Sequence, residues 1–323
     1  VNGFLHIAAL RCGYPKRVVL PRVDLEVERG RLLCVIGPNG SGKTTLIRTI
    51  ASLLHPLGGS LTVGGAQLRD LSPQVRARRV SVVLTSTPSP GYLTVRAMVA
   101  LGRTPHTGLL GRLGTEDTRA IESALATVGI AELSGRLVTE LSDGERQRTA
   151  IARAIAQAAE MVVLDEPTAH LDAAGRAIVM TSLQRIAHDT GRLVIATSHD
   201  IELVLRTADV VVVIGHHGKV TIGSPEDLAL GGVLETLFPK QILVFDSRTG
   251  GFRTPPRRGP RVQLGGTGLR RFWTAHALER IGYVIADGEG DLGVVVADDH
   301  WEIRREERKW RVDSIEALAD SLR

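Results

Sequence analysis

Apolar residues recur along the chain in short separated runs, not in one long stretch. Phe4–Ala9 and Val18–Val27 read as strands, divided by polar residues and Gly13 or Pro15. Arg31–Ile36 follows the turn Glu28-Arg29-Gly30 and is apolar enough for a strand covered on both faces. A glycine-rich loop and a helix from about Lys43 to Leu54 come next, then strands at Leu61–Val63 and Val80–Leu84. The spacing turns helical from Thr94 to Val138, with Thr94 and Thr115 as N-caps and Glu116 and Asp117 in a first turn. Helices are also predicted at Gly144–Ala158, Ala173–His188 and Ile201–Thr207. Strands are predicted at Met161–Leu164, Leu193–Thr197, Val210–Ile214 and Lys219–Ile222. Strands alternating with helices predict an α/β core around a mainly parallel sheet, with a helical insertion over about 94–158.

The pattern changes near residue 248. Thr254-Pro255-Pro256-Arg257-Arg258-Gly259-Pro260 has linker composition. Beyond it come a helix at Phe272–Ile281, strands at Gly293–Ala297 and Trp301–Arg304, and a closing helix at Ser314–Leu322. The expected division is a main unit at 1–247, a linker at 248–262 and a small α+β unit at 263–323. All three tryptophans, Trp273, Trp301 and Trp310, fall in the last part. Core packing is the first reading for them, with subunit pairing or regulation as the alternative.

Composition adds limits. No run of eighteen apolar residues appears, so no spanning helix is expected, and Val1–Leu10 is too short and mixed for a secretory signal. Cys12 and Cys34 lack ligand-spaced partners and read as buried reduced thiols. The net charge of +5 raises the question of nucleic acid. The arginine clusters at Arg76–Arg79 and Arg253–Arg261 are not interleaved with aromatics, so no nucleic-acid partner is expected; anionic lipid headgroups account for the charge equally well.

Three segments carry chemistry. Gly37-Pro38-Asn39-Gly40-Ser41-Gly42-Lys43-Thr44 fits G-x-x-x-x-G-K-[ST] between a buried strand and a helix. Its backbone N–H groups, continued by Thr45, would ring a phosphate at the positive end of that helix. Lys43 would reach the β- and γ-phosphates of ATP, and Thr44 would offer its hydroxyl to Mg²⁺. Met161–Leu164 delivers Asp165 and Glu166 to the end of a buried strand. Asp165 is the expected Mg²⁺ holder and Glu166 the general base toward water. His199 ends Leu193–Asp200 and is placed to sense the γ-phosphate, unless it is structural.

Leu141-Ser142-Asp143-Gly144-Glu145-Arg146-Gln147-Arg148 resembles the LSGGQ signature of ABC transporter ATPases. Asp165-Glu166-Pro167-Thr168-Ala169-His170-Leu171-Asp172 is similar to their Walker B and D-loop segments, and Thr197-Ser198-His199-Asp200 to their switch-histidine segment. The motifs come in the family order over residues 4 to about 240. The resemblance implies a P-loop NTPase of ABC type with an antiparallel β subdomain and a helical insertion. It also implies Tyr14 stacked on adenine, and ATP sandwiched in a homodimer. Ser142, Gly144 and Asp172 would reach the nucleotide from the partner copy. It further implies integral membrane permease partners, an indirect link to a substrate-binding protein, and a peripheral place at the cytoplasmic face of the cell membrane. Leu93–His106, with its Gly102-Arg103-Thr104-Pro105 stretch, resembles the permease-contacting region of importers for iron–siderophores, haem and cobalamin; the alternative is an ordinary interhelical loop. A soluble ABC-type ATPase of nucleic-acid or metallocluster maintenance is the competing function.

Two departures stand out. Thr85 occupies the position of the family's metal-touching glutamine, and Asp143 and Glu145 replace glycine and glutamine in the signature. Two carboxylates near nucleotide phosphates should weaken binding unless Arg146 or Arg148 offsets them.

Overall fold

The computed structural model describes residues 3–84, 92–108, 111–169, 171–239, 242–247, 249–255, 259–286, 290 and 292–323. The chain divides into two compact units: Val1–Pro239 with Phe245–Phe252, and Lys240–Val244 with Arg253–Arg323.

The first unit opens with β1 (Leu5–Tyr14) and β2 (Arg17–Val27), followed by β3 (Leu32–Ile36), α1 (Lys43–Ile50), β4 (Gly58–Val63), α2 (Pro73–Arg79) and β5 (Val80–Val83). The helical insertion contributes α3 (Val95–Ala100), α4 (Thr115–Thr127) and α5 (Asp143–Ala156). The core resumes with β6 (Met161–Leu164), α6 (Ala173–Thr190), β7 (Leu193–Thr197), α7 (Ile201–Thr207), β8 (Val210–Ile214), β9 (Val220–Gly223) and α8 (Pro225–Leu230). A short pair, β10 (Val244–Asp246) and β11 (Gly251–Arg253), follows.

The central sheet runs β5-β6-β7-β3-β8-β9, parallel except for the antiparallel edge strand β9. Its inner strands are apolar at every position but Thr197, the last residue of β7, because both faces are covered. Leu32, Cys34, Ile36, Val162 and Val194 pack toward the helical insertion and α6. Their neighbours Leu33, Val35, Met161, Val163 and Ile195 pack toward α1 and the antiparallel sheet β2-β1-β4. Both cysteines are free and buried, as expected; burial pushes the Cys12 thiol up to about 11, and Cys34 higher still.

The Gly102–His106 stretch turns inward. A Cβ on Gly102 would lie 2.3 Å from the Arg153 carbonyl oxygen, so only glycine lets this turn meet α5. Arg103 is buried, donates to Asp117 at 2.7 Å and to the Ala156 carbonyl at 2.8 Å. His106 Nε2 meets the Gln157 carbonyl at 2.8 Å. Gly102 and Arg103 therefore bolt the insertion to the end of α5, which leaves Leu101 and Thr104 as the outward positions.

The second unit contains β12 (Arg261–Gly265), α9 (Gly268–Arg280), β13 (Val284–Ala286), β14 (Leu292–Val296), β15 (Trp301–Arg305), β16 (Arg308–Val312) and α10 (Ile315–Leu322). The sheet order is β13-β12-β14-β15-β16. Strand β12 falls partly within the span expected as linker; its alternation of buried Val262 and Leu264 with exposed Arg261 and Gln263 marks a one-sided strand. Val262, Leu264, Val294, Trp301 and Ile303 form a core with Leu278 of α9 and Leu318 of α10. Of the tryptophans only Trp301 is fully buried, its Nε1 donating to Thr274 Oγ1 at 2.7 Å; Trp310 is half-buried and Trp273 exposed. Core packing thus explains Trp301 and in part Trp310, which packs against the same core, but not Trp273. Among the described residues no helix is long and apolar enough to cross a membrane.

Candidate nucleotide site

The loop 37–42 connects β3 to α1, at the C-terminal edge of the parallel sheet. Gly37, Gly40 and Gly42 have φ of 156°, 76° and 109°. A Cβ on Gly42 would lie 2.7 Å from Val19 Cγ1, whereas Gly40 opens onto free space. The backbone therefore curls into a cradle whose outer rim is bare. Ser41 Oγ is buried there without a hydrogen-bond partner. An orphaned hydroxyl beside an open glycine rim fits a phosphate-bearing ligand.

Lys43 is buried, and its Nζ donates to the Gly37 carbonyl at 2.8 Å and the Pro38 carbonyl at 3.2 Å. Desolvation pulls its ammonium below the usual lysine range, opposed by the charges of Glu166 and Asp165. Thr45 is buried as well; its carbonyl accepts from Thr49 Oγ1 within the helix.

The acids arrive from β6. Thr44 Oγ1 donates to Asp165 Oδ1 at 3.2 Å. Glu166 adopts a left-handed backbone with φ of 51°, unusual for a side-chain-bearing residue. Its carboxylate Oε1 lies 2.6 Å from His199 Nε2. With the carboxylate ionised, Nε2 carries the proton and donates it.

Thr197 was not singled out in the sequence. Its buried hydroxyl accepts from the Glu166 N–H at 2.7 Å and donates to Asp165 Oδ1 at 2.9 Å. One hydroxyl thus ties the backbone of one acid to the side chain of the other. The sequence signals for it are its place at the head of the Thr197–Asp200 segment and its polarity at the end of an otherwise apolar strand. A small cavity of about 150 Å³, lined by Gly37, Asn39, Ser198, His199 and Phe238, opens beside the loop.

The remaining candidates lie apart. Tyr14 ends β1 at the hairpin with β2 and is exposed. Ser142 caps α5, and among the described residues no hydrogen bond links it to the 37–45 loop. Its N–H and hydroxyl donate to Glu145 Oε2 at 2.8 and 2.9 Å, while its Oγ accepts from the Glu145 N–H. The sequence Ser142-x-x-Glu145 is a capping box. These bonds hold the Glu145 carboxyl below the usual carboxylate range. Arg146 offsets Asp143 by donating to it, whereas Arg148 points to the Gly129 carbonyl at 3.4 Å. Gly144 meets the side chain of Leu171, which a Cβ would approach to 2.9 Å. Asp172 caps α6, accepting from the Gly175 N–H at 2.7 Å. Thr85 and His170 lie outside the described residues.

Residues 20–169 match the family model described as ABC transporter, and residues 258–323 the one described as iron ABC transporter C-terminal domain. The chain is 40% identical over 229 residues to an uncharacterized ABC transporter ATP-binding protein of Methanocaldococcus jannaschii, covering 71% of this chain and 79% of that protein. It is 34% identical over 302 residues to a cobalamin import ATP-binding protein of Halobacterium salinarum, covering 89% and 73%. Among solved structures, a transporter described as of metal-chelate type and facing inward superposes with a TM-score of 0.64 at 27% identity, covering 73% of this chain and 89% of that one.

Proposed function

The chain belongs to the ATP-binding proteins of ABC transporters, and from that premise we propose that it powers the import of a metal chelate such as an iron–siderophore, haem or cobalamin. Its reaction is ATP hydrolysis. The match of residues 258–323 to the iron ABC transporter C-terminal domain and the cobalamin-import relative support the cargo class. The observation that carries the catalytic reading is the meeting of Lys43 and Thr44 with Asp165, Glu166 and His199 at one sheet edge.

The cradle 37–45 binds the nucleotide phosphates through backbone N–H groups and Lys43. Thr44 and Asp165 offer hard oxygen donors to Mg²⁺, which when bound supplies positive charge against the phosphate oxygens. Glu166 takes a proton from water: Oε1 is held by His199, and Oε2 has no hydrogen bond among the described residues. Thr197 keeps both acids in register. Tyr14 stacks on the adenine. Ser142, Gly144 and Asp172 serve the partner copy's nucleotide, so the working form is a homodimer. Integral permease subunits seat that dimer at the cytoplasmic face of the membrane, with a substrate-binding protein upstream.

The direct test is ATPase activity of the chain reconstituted with its permease, measured with and without loaded binding protein. Stimulation by a metal chelate supports the reading; stimulation by nucleic acid instead would sink it.

The signature bears on the same dimer. Glu145 occupies the Ser142 hydroxyl that must turn to phosphate, and its charge opposes that phosphate. Glu145→Gln keeps a capping side chain but removes the charge. ATP-driven self-association should then tighten by about tenfold, or about 1.4 kcal/mol, as read by analytical ultracentrifugation in a hydrolysis-dead background. Unchanged association would exclude this role for Glu145.

A further inference from the structure

The second unit carries a cleft of about 780 Å³ on its sheet, of a size that takes small-molecule ligands. Strand register places Arg304 directly opposite Lys309, and Glu302 opposite Arg311. On its other side Arg304 faces Gly293, which contributes no side chain to the floor. Arg271 enters the same cleft from α9, its Nε donating to the Leu264 carbonyl at 3.4 Å. Like charges directly opposite on one sheet face repel. Neither Arg304 nor Lys309 has an ion-pair partner among the described residues, whereas Arg311 lies 3.3 Å from Asp299 and 3.6 Å from Asp313. Glu302 is the one carboxylate in the described lining, against the cations Arg271, Arg304, Lys309 and Arg311.

We propose that this cleft binds a small molecule bearing two or more anionic groups, carboxylate or phosphate. Negative charge entering between Arg304 and Lys309 would relieve their repulsion. The cations converge on a recess of ligand size, which favours a small polyanion over an extended anionic surface. Nothing in the hydrolysis site requires this cluster.

Tryptophan emission originates in the second unit, since all three tryptophans lie there and Trp310 lines the cleft. The full chain is titrated with citrate and with pyrophosphate at constant ionic strength, with sodium chloride as control. Each titration is repeated with Lys43→Ala, which disables anion binding in the 37–45 cradle, so a response that persists belongs to the cleft. At least one anion should give a saturable emission change at sub-millimolar concentration. Arg304→Gln with Lys309→Gln should raise the midpoint at least tenfold, leave ATPase activity intact and leave Tm unchanged or higher. Glu302→Gln should lower the midpoint. A response to citrate alone identifies polycarboxylates, and one to pyrophosphate alone identifies phosphate-bearing ligands. The proposal fails if neither anion saturates beyond the chloride control, or if the double variant keeps the wild-type midpoint. It fails equally if the two cations prove to drive co-sedimentation with phosphatidylglycerol vesicles while both anions leave the emission unchanged.

Discussion

Glu166→Gln should lower ATP turnover by about 10³-fold and leave nucleotide bound. The amide retains the shape and the hydrogen bond near His199 but cannot accept a proton from water. The hydrogen bonds of Lys43 and the Thr44–Asp165 pair are kept, although Lys43 loses one nearby negative charge, so affinity for ATP should stay within about threefold of wild type. Because hydrolysis no longer releases the pair, the variant should accumulate as an ATP-bound dimer. Single-turnover assays and size-exclusion chromatography with ATP check the two halves separately. Residual turnover above a tenth of wild type would remove Glu166 from the role of base.

Thr197→Val should lower kcat by about 10- to 100-fold with the KM for ATP nearly unchanged. Valine matches threonine in shape but offers no hydroxyl. The Glu166 N–H and an Asp165 oxygen each lose a partner in a buried setting, an effect of about 1–3 kcal/mol per group. The strained backbone of Glu166 then loses the bond that fixes it, and its carboxylate no longer points at one place. Thr197→Ser restores the hydroxyl and should recover most of the activity, although it removes a methyl group from the core. A purely packing role predicts the reverse order, with Val close to wild type and Ser impaired. Steady-state kinetics and melting temperatures on the two variants distinguish these outcomes.

Local chemistry made much of this molecule legible. The apolar strands declared themselves because both sheet faces are covered, and the loop 37–44 because its glycines, lysine and threonine sit between a strand and a helix. What stayed hidden depends on distance in sequence. Thr197 acts on residues 31 and 32 positions earlier, which no spacing rule encodes. Gly102 and Arg103 looked like an outward contact, yet their partners Asp117, Arg153 and Ala156 turn them inward. Ser142 and Asp172 were read as nucleotide contacts from the motifs around them. The same side chains are also helix N-caps, a role their spacing to Glu145 and Gly175 already carried. In the second unit, β13 is legible only in the structure because its apolar run Val284–Ala286 is three residues long, and β16 because arginine and lysine fill most of its positions.

The fastening of α5 has a mechanical consequence. Arg103 grips the Ala156 carbonyl, and Gln157 Nε2 donates to the Ala77 and Val80 carbonyls at 2.6 and 3.0 Å. That end is a fulcrum set against the central sheet. Ser142 rides the opposite end, about 21 Å away for fourteen residues. A tilt of about 5° at the fulcrum sweeps the serine through about 2 Å, given that length. Under the proposed pairing, in which Ser142 serves the nucleotide of a neighbouring copy, a hydrogen bond to phosphate is made or broken over that interval, so a small rocking of one long arm would be enough to engage or release it.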